Sequence, residues 1–165
     1  MTFAPRTWIV GEVVSAATMN QEIRDQFNSM FAAWTSYTPT WTSTSTAPAI
    51  GNGTLTGRYM KIGRTVIVEI NLIAGGTTTF GTGNYSFSLP VQSAASGIAL
   101  VGAAQLLGTA RWSGTLIISS AANTVSPFMP VSATDTRCDF VTNTRPETLA
   151  SNAQIRLLAV YEAAS

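Results

Sequence analysis

The sequence predicts a mainly β protein: an N-terminal anchor segment and one short α-helix, followed by an antiparallel β-sandwich domain of jelly-roll type. Three observations predict it. From about residue 55 the apolar residues recur with a period of two, the period of a strand with one buried face. Gly, Pro and Asn interrupt these alternating runs at short intervals, which marks turns between short strands. Thr and Ser together number 40 of the 165 residues, and they favour strands and turns. Apolar residues make up 45% of the chain, enough for a sizeable core, whereas charged residues make up only 10%. An ordinary soluble domain carries about 25% charged residues. The surface is therefore expected to be neutral, hydroxyl-rich and partly hidden against partner subunits, the alternative being a low-charge monomer.

Residues 1–14 (MTFAPRTWIVGEVV) are apolar and are broken by Pro5 and Gly11. Exposed in a monomer, Trp8, Ile9, Val10, Val13 and Val14 would form a costly apolar patch, so this segment reads as an anchor that docks elsewhere. Residues 15–34 read as the helix. Ser15 and Thr18 are candidate N-caps, and Thr18 with Gln21 forms a capping-box pattern. Met19, Ile23, Phe27, Met30 and Trp34 fall on one helical stripe, with Phe31 beside it. The same segment fits a short heptad, with Ala16, Ile23 and Met30 at d and Asn20, Phe27 and Trp34 at a. A polar residue at an a position sets register in a self-associating bundle. A single amphipathic helix packed on the β domain fits the spacing equally. The interface residues expected at this end are Trp8, Ile9, Val10, Ile23, Phe27, Met30 and Trp34.

Residues 35–54, rich in Thr, Ser, Pro and Gly, read as a linker between the 1–34 attachment end and a β domain at 55–165. Tyr37 and Trp41 suggest that this tether lies against a surface. Strands are expected at 54–62 and 65–73, separated by a turn at Gly63-Arg64. Further strands are expected at 85–89, 97–109, 111–119, 124–131, 137–142 and 153–162. The alternation is strongest in Thr65–Ile73, where Val66, Val68, Ile70 and Leu72 share one face.

The sequence offers little for catalysis. It contains no His, which excludes Ser-His-Asp and Cys-His nucleophiles, and its single cysteine, Cys138, rules out an intrachain disulfide and reads as a half-buried hydrophobe. Zinc prefers His and Cys ligands, and no metal or cofactor is expected. Asp135 and Asp139 are the only near pair of carboxylates, and with Arg137 between them they read as turn residues rather than as the facing pair of a glycosidase. Gly51-Asn52-Gly53 precedes a strand and reads as a turn, not a phosphate loop. The net charge is +1 and the nine basic residues are scattered, clustering only at Arg58, Lys61 and Arg64, so nucleic acid is not an expected partner. No run approaches the roughly 18 apolar residues of a membrane span, and no N-terminal signal peptide is evident, so membrane insertion is not expected and synthesis in a cytoplasm is. Trp112, beside Arg111, is a candidate ligand contact that stacks on a sugar, the alternative being a core tryptophan.

The segment Pro5–Phe27, PRTWIVGEVVSAATMNQEIRDQF, resembles the N-terminal part of small virion proteins of tailed phages infecting actinobacteria, those described as minor tail, tail-fibre or head-fibre proteins. Tyr37–Leu72 and Phe80–Pro90 resemble the β module of the same proteins. The likeness covers about residues 5–90 clearly and carries no catalytic motif; Ser93 to Glu147 match no such pattern. It implies a virion location, an N-terminus docked on other tail or capsid proteins, a helical neck, a homotrimer, and a distal region that meets a host-surface glycan. A short surface fibre or spike is the expected function, with a capsid decoration protein as the alternative.

Overall fold

The structure, a computed structural model, describes residues 7–164. Residues 1–6 of the expected anchor lie outside them. The alternating runs form ten strands: β1 (Thr35–Tyr37), β2 (Trp41–Ser43), β3 (Thr54–Ile62), β4 (Thr65–Ile73), β5 (Tyr85–Ser88), β6 (Leu100–Leu107), β7 (Arg111–Ile118), β8 (Thr124–Pro130), β9 (Cys138–Phe140) and β10 (Gln154–Glu162). All pairings between them are antiparallel, in the order β1-β3-β4-β10-β6-β7-β8-β5-β2, with β9 branching from β8. The mainly β, antiparallel fold class read from the periodicity is what the chain adopts.

The sheet curls around one core. Val66, Val68, Ile70 and Leu72 of β4 face inward with Ile155, Leu157, Ala159 and Tyr161 of β10, as the alternation requires. Leu106, Leu116, Ile118, Val125 and Met129 continue the inner surface, and Tyr85, Phe87 and Trp41 close it. Each large aliphatic side chain buried there contributes about 1.5–3 kcal/mol. Trp41 stacks parallel to Phe87 at 6.3 Å and meets Tyr85 edge-on at 5.0 Å, two arrangements that aromatic quadrupoles favour.

The segment expected as a linker is part of this domain. β1 pairs with β3 at one end of the strand order and β2 pairs with β5 at the other, yet only residues 38–40 separate them. The chain from Thr35 to Ser43 therefore joins the two edges of the curled sheet and turns the corner at buried Pro39. Thr40 N donates to Ser88 Oγ at 2.8 Å, Ser88 N to Thr40 O at 3.0 Å, and Tyr37 Oη to Ser88 O at 3.3 Å, which fastens the corner. Beyond β2, residues 44–53 run antiparallel to 77–84 through bridges at Thr46–Thr82 and Ala49–Thr79. Gly81 adopts φ +58° there, where a Cβ would strike Thr46 O. The β domain thus begins at Thr35 rather than near residue 55.

Two buried tyrosines, Tyr85 and Tyr161, and half-buried Tyr37 predict an alkaline limit. Tyr85 Oη donates to Phe80 O and Tyr161 Oη to Val91 O, both at 2.7 Å. Burial pushes Tyr161 up to about 12 and raises Tyr37 and Tyr85 as well. Such groups stay neutral in the fold while the unfolded chain ionises near its ordinary pKa of about 10. Their stabilisation is complete below about pH 10 and declines as pH rises towards about 12. Circular dichroism against pH should show cooperative loss of β signal in that window and none between pH 6 and about 9.

The helix is shorter than expected. It comprises α1 (Ala16–Met19), a π-helical turn (Asn20–Arg24) and α2 (Asp25–Met30). Ser15 caps it, its Oγ accepting from Thr18 N at 3.1 Å. Phe31, at φ −108° and ψ 7°, leaves helical geometry, so Trp34 lies beyond the helix and not at a heptad position. The π turn is bonded i to i+5, from Asp25 N to Asn20 O. It holds more residues per turn than an α turn, which brings side chains four apart, such as Met19 and Ile23, closer to one line. Among the described residues no helix is long and apolar enough to cross a membrane.

Candidate functional site

The helix and the segment ahead of it present their apolar side chains to solvent. Ile9, Val10, Val13 and Val14 are exposed around a turn at Gly11, and Trp8 is 43% exposed. Along the helix, Met19, Ile23, Phe27 and Met30 are 41–57% exposed and Phe31 80%. Of the expected interface residues, the structure thus places Trp8, Ile9, Val10, Ile23, Phe27 and Met30 on the surface of the single chain, unburied by its own β domain. α2 approaches the β domain at β3. Trp34 differs: it is half-buried, with the Arg58 guanidinium 5.0 Å from its ring centroid, a cation–π contact that joins the neck to the sheet.

Trp112 and Arg111, the candidate ligand contacts, begin β7. Arg111 is exposed, but Trp112 is half-buried against the core and its Nε1–H donates to Glu147 Oε2 at 2.8 Å. The same carboxylate accepts from Thr109 N at 2.6 Å, Thr109 Oγ1 at 2.8 Å and Ala110 N at 3.3 Å. Burial opposes its ionisation, but the hydrogen bonds from Trp112, Thr109 and Ala110 outweigh burial and hold the pKa below the ordinary value. Glu147 therefore clamps the β6–β7 turn to the loop ahead of β10, and the Trp112 indole N–H is part of that clamp. Glu147→Ala is expected to cost about 2 kcal/mol, read as a lower urea midpoint with unchanged m-value, because it strips charge-assisted partners from several donors.

The two loop aspartates are each held by an arginine. Asp135 accepts from Arg137 at 2.5 Å and is lowered to about 2, chiefly by that side-chain hydrogen bond. Asp139 pairs with Arg145 and accepts from Phe140 N at 2.7 Å. Each carboxylate is thus paired with a separate arginine. Among the described residues no group of three or more His, Cys, Asp or Glu side chains is placed to hold a metal ion. Cys138 is exposed on β9, contrary to the half-buried expectation, because β9 pairs only with β8 and borders the sheet.

A groove of about 690 Å³ runs across the outer face of the sheet. Thr56, Asn71, Arg156, Gln105 and Ser113, on β3, β4, β10, β6 and β7, lie opposite one another in register and line it with polar groups. Sequence reasoning singled out none of these except Arg156, as a scattered charge. The alternation of β4 and β10 held the available signal, since their outer residues are mixed polar and apolar.

Comparison with protein-family models, curated proteins and solved structures finds no match to this chain. The functional reading accordingly rests on the site itself.

Proposed function

We propose that this chain is a bacteriophage virion structural protein: a short homotrimeric surface fibre, attached through its N-terminal segment and presenting the β domain to the host surface. The observation that carries the reading is the apolar stripe of the neck. Met19, Ile23, Phe27, Met30 and Phe31 are all exposed in the single chain, beside an apolar segment that ends in the same helix. Continuous exposed apolar surface of this kind marks a protein interface. Asn20 and Ile23 in the π turn and Phe27 and Met30 in α2 have the sequence spacing of heptad a and d positions, the pattern of self-associating helices. The low charge of the chain suits a surface partly buried between subunits. The likeness of Pro5–Phe27 to small virion proteins of actinobacterial phages supplies the context. In this reading the neck and anchor face the particle, and the sheet from Thr35 onward faces outward and binds a host-surface glycan.

The test is a deletion. A chain lacking residues 1–14 is expected to keep its β circular dichroism signal and its solubility and to be missing from particles. Incorporation at the wild-type level would reject the anchor. Labelled electron microscopy of particles places the full chain: density at the tail or projecting as a fibre supports this reading, and density clamping neighbouring capsomers supports a decoration protein.

A further inference from the structure

The outer face of the sheet carries an apolar patch that the fold itself does not use. Met60 lies opposite Ile67, and Ile67 opposite Val160. Leu158, on the same strand as Val160, lies opposite Ala103 of β6, and Val101, two residues along β6, lies opposite Ile117. Leu158, Val160 and Val101 are 45%, 54% and 66% exposed, and Ile62 and Ile98 add to the exposed apolar surface. The polar groove adjoins this patch on the same strands, and within it Asn71 Oδ1 is buried without a hydrogen-bond partner.

We propose that this outer face of β3, β4, β10 and β6 is a second subunit contact, packed against a second copy of this chain. The inference rests on the self-association proposed for the neck. The link between the two is Trp34: it sits under Arg58, an outward-facing residue of β3, so the neck enters the β domain on this face. When helices associate in parallel, their attached domains lie side by side, and the face that the neck enters turns towards the common axis. The occupant that geometry brings to the patch is therefore the same face of a neighbouring copy. Arg58 is neutralised by Glu69 at 2.6 Å, and Arg156 is held in place by Gln105 at 3.1 Å and Gln154 at 2.6 Å, outside the apolar patch. The patch itself is apolar, as the core of a subunit interface is.

The test uses the full chain carrying Val101→Glu and Val160→Glu together, compared with wild type by sedimentation equilibrium across 1–100 µM, about the range in which moderate association shows. Both side chains are exposed in the single chain, so the β circular dichroism spectrum should persist while the dissociation constant rises at least about 100-fold. Wild-type mass and dissociation constant in the double variant would overturn this contact and leave the neck reading standing. A monomeric wild type would overturn both. Should the double variant fail to fold, Val160→Cys in a Cys138→Ser background decides: slow maleimide labelling that becomes fast on dilution supports the contact, and labelling at the rate of a free thiol at every concentration overturns it.

Discussion

Replacing Ile23 and Phe27 with Asp is expected to convert the assembled protein into a folded monomer at micromolar concentration. In the single chain both side chains are exposed, at 41% and 57%, and surface substitutions of this kind usually change folding stability by no more than about 0.5 kcal/mol. In an assembly the same positions meet other copies, where an unpaired buried carboxylate is costly. At about 2 kcal/mol per site, two sites per chain shift dissociation by roughly 1,000-fold, since each 1.4 kcal/mol is tenfold. The predicted signature is loss of mass in solution with the β spectrum retained. Unchanged mass would show that the stripe is not an interface. Loss of the β spectrum would show that the neck packs on its own domain, the single-helix alternative that the spacing also permits.

Trp41→Ala has the largest effect expected on folding. Its indole is 7% exposed and touches Phe80, Tyr85 and Phe87 where the two edges of the curled sheet meet. Truncating a buried tryptophan costs about 3–5 kcal/mol. For a protein of this size that lowers the melting temperature by about 10 °C, given roughly 2–4 °C per kcal/mol. A tether loosely laid on the surface would lose almost nothing. Trp41→Phe separates the contributions further. Trp41 Nε1 is buried without a hydrogen-bond partner, so Phe keeps a ring beside Phe87 and removes an unsatisfied donor. Its cost should be well below that of Ala.

The strands most legible in the sequence are those with one fully apolar face. β4 and β10 follow from alternation alone, because each places successive side chains alternately towards the core and away from it and a one-residue slip would invert them. β1 and β2 were hidden for a physical reason. Each is three residues long, and the Thr, Ser and Pro around them are also the residues of linkers. Only Tyr37 and Trp41 pointed to a surface, and what they meet is the closing seam of the sheet. The π turn at Asn20–Arg24 and the early end of the helix near Phe31 depend on backbone geometry for which no residue in that stretch is a strong breaker.

The candidate site was legible in part. Ile9, Val10, Ile23, Phe27 and Met30 stand out because so much apolar sequence lies outside the alternating strands. The role of Trp112 was not, since Glu147 lies 35 residues away in sequence and no local pattern links the two. The outer patch and its groove were also obscure. They arise from register between strands distant in the chain, as when Val160 meets Ile67 and Arg156 meets Gln105.

Sedimentation equilibrium of the full chain decides whether it self-associates. A single-chain mass of 17.4 kDa sets the unit. A species of three chains is expected at micromolar concentration, dissociating on dilution and in the Ile23→Asp, Phe27→Asp variant. A monomer throughout that range would contradict self-association.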